Sequence, residues 1–312
     1  MTKCYPGENK LLAEVKTLHK TLSDKKTIFV LIGPGLLIYT FAIFFPIFLS
    51  MYLGMTNWSG IDKPIFIGLQ NFKTILFSDT TFWISLRNAL FLALAFIFIQ
   101  HPIAIAFAIM IDRVGGRLEK IFRAIFFIPC VIPIIVTSKM WVSLYDPQYG
   151  LINKFLDILH LGFLKQQWLG DTKTVLASVI VILMWQGFGW ALIIYYAGLK
   201  GIPEELYEAA RIDGATGLKL YTRITIPLLT PVIKVNFTLA IIAALKQMET
   251  VFLTTNGGPG DASQFLANYL YIKAFSSFQY GYANAISVLF VITCLLINLL
   301  FNKLFKSQAY EF

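Results

Sequence analysis

Glu204, Glu205 and Glu208 crowd one short segment, and paired carboxylates are the equipment of glycoside hydrolysis. The segment, however, is a brief connection between two long apolar runs, and no sugar cleft is evident around it. A second candidate, Thr255-Asn256-Gly257-Gly258-Pro259-Gly260, is rich in glycine. It lacks the lysine and the serine or threonine that a phosphate-cradling loop places ahead of its helix, so the chain has no visible nucleotide site. His19, His101 and His160 are scattered in sequence, and Cys4, Cys130 and Cys294 form neither a paired metal motif nor a disulfide framework. Neither a nucleophile elbow nor a helical histidine pair with a nearby glutamate occurs. No catalytic residue and no metal ligand are expected, which leaves transport, channel and scaffold functions.

The elements that carry these residues are membrane spans. The 312 residues are 57% hydrophobic and 14% charged, with 28 phenylalanines, and the mean hydropathy is +0.69. A soluble core needs far less apolar sequence. Uncharged runs cover 28–54, 88–111, 124–138, 174–199 and 274–302. A bilayer core about 30 Å thick takes about 20 helical residues, and all but the third run reach that length outright. The third is extended past Lys139 through Met140, Trp141 and Leu144, with the lysine able to snorkel. A further span is expected over about 224–250, interrupted by Lys234, Lys246 and Glu249. Lys246 and Glu249, three apart, are expected to pair on one helix face.

Charge orients the bundle, because lysine and arginine near span ends favour the cytoplasmic side. Clusters such as Lys25 with Lys26, and Arg113 with Arg117, Lys120 and Arg123, fall on the same side as both termini. The fold class is therefore all-α, a polytopic membrane protein with six transmembrane helices and cytoplasmic N- and C-termini. The net charge of +9 reads as this topology signal. No basic and aromatic stripe accompanies it, so no nucleic-acid partner is expected. The segment 1–27 is a cytoplasmic N-terminal segment without a cleavage site, 28–54 the first transmembrane helix, and 306–312 a cytoplasmic tail. Within the first segment, Leu11, Val15, Leu18 and Leu22 suit a helix on the inner leaflet or simply a basic tail.

The connection at 200–223, between spans four and five, has helix punctuation at both ends. Pro203 suits a first helical position, Glu204 and Glu205 suit the first-turn dipole, and Gly214 suits a left-handed helix end. A second helix from Leu218 runs on past Pro227. Ala209, Ala210 and Ala215 offer little bulk, and Glu208, Arg211 and Asp213 frame them with charge. The unit is a docking knob for another protein or an amphipathic turn resting on lipid headgroups; residue chemistry allows both.

Glu208-Ala209-Ala210, three residues, Gly214, nine residues, then Ile224-Thr225-Ile226-Pro227 resembles the EAA loop of permease subunits in binding-protein-dependent ABC importers. Ile226 stands where that pattern has leucine. The resemblance runs from about Ile84 to Phe305 (84–305), as the permease core. Thr255 to Pro259, with Gln247-Met248-Glu249 before them and Tyr280-Gly281-Tyr282-Ala283 after, is similar to the carbohydrate-uptake branch, maltose-type first permease. Met248 and Glu249 stand where relatives commonly have an aromatic and an aspartate.

This resemblance implies a second permease subunit forming a heterodimer, a cytosolic ABC ATPase dimer that binds ATP and Mg, and an external solute-binding protein. The chain itself then needs no cofactor and lies in a bacterial or archaeal cell membrane, in contact with lipid. Glu208, Ala209, Ala210, Arg211, Asp213, Gly214 and Ala215 would couple to the ATPase. Sugars need planar hydrogen-bonding groups and aromatic faces, which points to Gln247, Asn236, Trp185, Gln186, Trp190 and Tyr195 along the substrate path, with Glu249 near its outer end. The face bearing Ala240, Ala243, Ala244 and Gln247 would leave room for substrate, or would simply pack helices. Asn256, Gly257, Gly258 and Pro259 are a binding-protein contact or a plain flexible loop. The kinks at Gln100-His101-Pro102 and at Pro129 with Pro133 line the cavity or merely bend helices. The competing functions are a stand-alone channel or secondary transporter, and an ABC permease for a solute other than sugar.

Overall fold

The computed structural model describes residues 25–305. The expectations for the inner-leaflet helix at 11–22 and the tail 306–312 fall outside these. Helix α1 covers Lys25–Gly54. A two-stranded antiparallel ribbon follows, β1 (Thr56–Asn57) with β2 (Ile65–Phe66), pairing Thr56 with Phe66. Then come α2 (Gln70–Phe77), α3 (Thr80–Ala95), α4 (His101–Val114), α5 (Gly116–Val131), α6 (Ile134–Leu144), α7 (Leu151–Ile158) and α8 (Val175–Lys200). The chain ends with α9 (Glu204–Ile212), α10 (Leu218–Leu220), α11 (Ile226–Leu245), α12 (Glu249–Thr254), α13 (Leu266–Tyr271) and α14 (Tyr280–Leu304).

Five continuous stretches are long and apolar enough to cross a membrane: Lys25–Gly54, Thr80–Val114, Val175–Lys200, Leu218–Leu245 and Tyr280–Leu304. Two of them contain a widened π turn, at Phe96–Gln100 and at Tyr221–Thr225, and each turn lies directly before an X-Pro pair. Pro102 and Pro227 have no N–H to give, and their rings crowd the carbonyl four residues back, that of Phe98 and of Arg223. Widening the preceding turn absorbs the clash without breaking the span.

Where a proline sits between helices the outcome differs. Ile132 is extended at φ −67°, ψ 128°, as a residue before proline tends to be, and Pro133 is extended at φ −55°, ψ 137°. Helices α5 and α6 consequently meet at 92°. The third apolar run, expected as one span kinked at Pro129 and Pro133, is thus a sharply bent pair, and the count is six with that pair taken as one span. The span expected over 224–250 is also redrawn. Its helix stops at Leu245, Lys246 caps it, and Glu249 opens the separate α12.

Helices α8 and α11 form the centre. Ala89, Leu92, Val179, Ala240, Ala244 and Leu245 meet in one buried cluster, and Ala104, Ala108, Leu192, Tyr195, Leu199 and Leu229 in another. In lipid such contacts are held by close van der Waals packing, which favours small residues. Gly189 is the clearest case, since a β-carbon there would stand 2.9 Å from the Phe127 Cα and the Cys130 Sγ of α5. Helix α1 instead lies outside the bundle along α14, with Gly33 and Gly54 its only buried residues.

Candidate functional site

At one end of the bundle the 200–223 connection folds into a helical knob. Pro203 is the N-cap of α9 rather than its first helical residue, with ψ 135°. Glu204 and Glu205 occupy the first turn, where the helix dipole favours anions. At the other end Gly214 adopts φ +77°. Its N–H donates to the Arg211 carbonyl at 3.1 Å, and the Ala215 N–H donates to the Ala210 carbonyl at 2.8 Å. Those two bonds are a Schellman cap, the reason a glycine stands there.

Leu206 and Tyr207 turn inward against Leu199, Ile202 and Leu229, and burial pushes the Tyr207 hydroxyl above its ordinary pKa, with the Thr225 hydroxyl acting the other way. The outward face carries Glu208, Ala209, Arg211, Asp213 and Gly214, and Arg211 pairs with Glu204 at 3.6 Å. The alanine face is smaller than expected, because Ala210 packs inward at 6% exposure and Ala215 is half-buried. In its place stand two residues that the sequence reading did not put on the exposed face, Ile212 and Leu218, 87% and 78% exposed. An isoleucine immediately before an Asp-Gly turn was the available signal.

Midway along the bundle, Asn236, Ala240 and Ala243 of α11 face Gly187, Trp190 and Ala191 of α8 across a cavity of about 290 Å³. Gln100 and His101 close its third side. The His101 Nδ1 is 2.9 Å from the Tyr195 hydroxyl, and Asn236 lies beside that same hydroxyl. Gln100 also borders a second cavity of about 470 Å³, lined by Pro129, Phe126, Met184 and Trp185. The kinked segments at Gln100 and Pro129 therefore line cavities as well as bend helices.

The other expected path residues sit elsewhere. Tyr195 and Ala244 are fully buried core. The Gln186 carbonyl accepts from the Cys130 thiol at 2.9 Å, while its Nε2 reaches the Ile132 carbonyl at 3.4 Å. Gln186 thus holds the break between α5 and α6. Trp185 meets Trp141 edge to face at 5.6 Å. Helix α6 lies against α12, and Gln247, in the break before α12, has a buried Nε2 without a partner. Glu249 is exposed at the start of α12. No ion pair joins it to Lys246, since the interrupted helix removes the three-residue spacing that would have aligned them.

The segment 255–260 is a tied loop, not a plain flexible one. The Ser263 hydroxyl donates to the Gly258 carbonyl at 2.6 Å, and the Asn256 N–H donates to the Val251 carbonyl at 2.7 Å. Asn256 is exposed, Gly258 and Pro259 are half-buried, and Gly257 is buried against Gln264. Asn88 of α3 braces the loop by donating to the carbonyls of Ala262 at 2.9 Å and Gln264 at 3.0 Å.

A helical membrane bundle with kinked, cavity-lining spans and a capped knob at one end defines a polytopic transport subunit. Over residues 102–308 the chain matches the binding-protein-dependent transport system inner membrane component family. It is 34% identical over 277 residues to a probable ABC transporter permease of Pyrococcus horikoshii, covering 88% of this chain and 94% of that one. It is 33% identical over 292 residues to the multiple sugar-binding transport system permease protein of Streptococcus mutans, covering 93% and 98%. Its fold is similar to a chain of a bacterial alginate ABC transporter solved with an alginate pentasaccharide-bound periplasmic protein, at TM-score 0.78 and 22% identity over 93% and 99% of the two chains. The chain belongs to this family of ABC permeases.

Proposed function

We propose that the chain is one of two permease subunits of an ATP-driven importer and forms, with the second, an alternating-access path for a saccharide. The observation that carries this reading is the capped helix α9 between spans, with Gly214 at φ +77° and Ile212 fully in the open. A knob of that shape suits a groove in a soluble partner. Similarity to the Streptococcus mutans sugar permease supports the substrate class. In this arrangement α9 and the two chain termini lie in the cytoplasm. Glu208 to Ala215 engage an ATPase dimer that binds ATP and Mg, and its closure rocks the spans around the central cavity. Asn256 and Pro259 face an external solute-binding protein.

Proteoliposomes test it. The chain assembled with a second permease, ATPase and binding protein takes up sugar only when ATP is supplied. Uptake by this chain alone, driven by an ion gradient, would instead support a secondary transporter.

A further inference from the structure

Beside the α9 knob a groove of about 520 Å³ runs between α4 and the turn that leads into α11. Ile105, Ile109, Met110 and Ile226 line its length, and Arg113 stands with Tyr221 at its head. From Pro102, also in the lining, to Arg113 the helix advances eleven residues, or about 16 Å at about 1.5 Å per residue. That is about half of a bilayer core roughly 30 Å thick, so the groove spans one leaflet.

The head of the groove is built around Arg113. Its guanidinium lies over the Tyr221 ring, 4.5 Å from the centroid, and its Nε donates to the Tyr221 hydroxyl. Among the described residues no ion pair engages it, and the adjacent Asp112 is taken by Lys200. Both terminal nitrogens are therefore clamped in place without a protein partner, a planar fork that matches a phosphate. Lys219, which follows the groove residue Leu218 in the chain, is in no ion pair either. The preference of cations for the cytoplasmic side explains a positive charge here. It does not explain one clamped on an aromatic ring at the head of an apolar groove.

The lining also argues against a helix of another subunit as the occupant. Helix interfaces in membranes favour small residues, whereas this groove is walled mainly by isoleucine, methionine, leucine and proline. A second helix would besides enclose an arginine with no acid to meet it, which is costly in a membrane. The inner leaflet, in contrast, is rich in anionic phospholipid. We propose that the groove holds an acyl chain of an anionic inner-leaflet phospholipid, with its phosphate gripped by Arg113. Such a lipid joins α4 to the segment that carries α9 into α11. This rests on the importer reading only in placing α9, and with it Arg113, at the cytoplasmic face.

The test uses the assembled importer purified in detergent, offered phosphatidylglycerol or phosphatidylcholine, with bound lipid counted by native mass spectrometry. Phosphatidylglycerol should bind in preference to phosphatidylcholine, at a site that depends on this chain. Arg113→Gln should weaken that binding roughly tenfold, the loss expected of a charge-assisted hydrogen bond, with subunit assembly unchanged. Met110→Trp keeps Arg113 and fills the groove, so it should displace the same lipid, and it serves if Arg113→Gln fails to assemble. Water-soluble glycerol phosphate should not compete. Competition by it would mark a site for free phosphate and overturn the lipid assignment. Equal binding of both lipids, or binding unchanged in both variants, would also overturn it. So would a disulfide between Ala106→Cys and a cysteine placed on the second permease, which would show that subunit seated in the groove. Uptake driven by an ion gradient without ATP would overturn the importer reading and leave the lipid site standing.

Discussion

The Lys200 Nζ lies 2.7 Å from the Asp112 Oδ1, tying the last residue of α8 to α4 immediately ahead of the α9 knob. Lys200 also sits over the Tyr196 ring at 5.5 Å, and Arg123 of α5 sits over it at 4.6 Å. Tyr196 donates to Glu119 at 2.5 Å. Three spans are therefore fastened together where α9 begins. Both partners of the Lys200 pair are substantially exposed, at 52% and 37%, so the pair adds little stability, under about 1 kcal/mol. Its value is positional. Lys200→Met should leave the thermal midpoint within a few degrees yet reduce sugar uptake per ATP hydrolysed severalfold. The exchanged pair Lys200→Asp with Asp112→Lys should restore part of that ratio. A Lys200→Met variant with full coupling would show that α9 is steered by its apolar contacts alone.

Gly214 supports a second prediction. A β-branched residue at φ +77° is disfavoured by roughly 1–2 kcal/mol, and the Schellman bonds to Arg211 and Ala210 would give way first. Gly214→Val is expected to fray α9 while α8 and α11, each a membrane helix in its own right, stay inserted. Co-purification of the ATPase with the permease should then drop markedly, measured against unchanged yield of the membrane-embedded chain.

A third concerns pH. The Asp146 Oδ1 accepts from the Tyr149 N–H at 2.7 Å and the Gln148 N–H at 2.9 Å. These bonds, that of Tyr149 foremost, hold its carboxyl below the ordinary aspartate value. A carboxyl lowered on folding stabilises the fold above its unfolded pKa of about 4 and loses that contribution as pH falls through the folded value. Asp146→Ala should thus lower the thermal midpoint slightly at pH 7, and the gap to the unaltered protein should close toward pH 3. A gap that widened on acidification would reverse the assignment.

Much of this was legible in the sequence, for identifiable reasons. The fourth span was read as 174–199 and found as Val175–Lys200, because uninterrupted apolar length is what a bilayer selects. The end of α9 at Gly214 was legible because only a left-handed position demands that residue. The third run was legible as a span kinked at Pro129 and Pro133, but its 92° angle was not, since hydropathy reports how apolar a stretch is and not the direction in which Pro133 sends it. The break at Lys246 to Met248 lacks proline and glycine alike, so nothing local announced it. For the site, Asn236, Ala240 and Ala243 were placed on the path and do line one cavity. Gln100 was read with Pro102 as a kink that lines the cavity or merely bends its helix, and sequence alone left the two open because the cavity arises only when α8 and α11 close around it.

The final prediction turns on Asn88, which is fully buried and whose single amide spans the carbonyls of Ala262 and Gln264. Thr81 adds a bond from its hydroxyl to the Asp261 Oδ2 at 2.8 Å, so the loop around 255–264 is held against α3 from two residues. A loop held in one shape binds a rigid partner without the entropy cost of being ordered first. Asn88→Ala leaves two carbonyls unpaired at about 1–3 kcal/mol, a loss the neighbouring backbone offsets by shifting. The expected result is weaker activation by the binding protein: the concentration giving half-maximal stimulation of ATP hydrolysis rises roughly tenfold, the equivalent of about 1.4 kcal/mol. The maximal rate at saturating binding protein should change little, since α9 lies at the far end of the bundle. A fall in maximal rate with unchanged half-maximal concentration would place Asn88 in the conformational cycle rather than in the support of a docking loop.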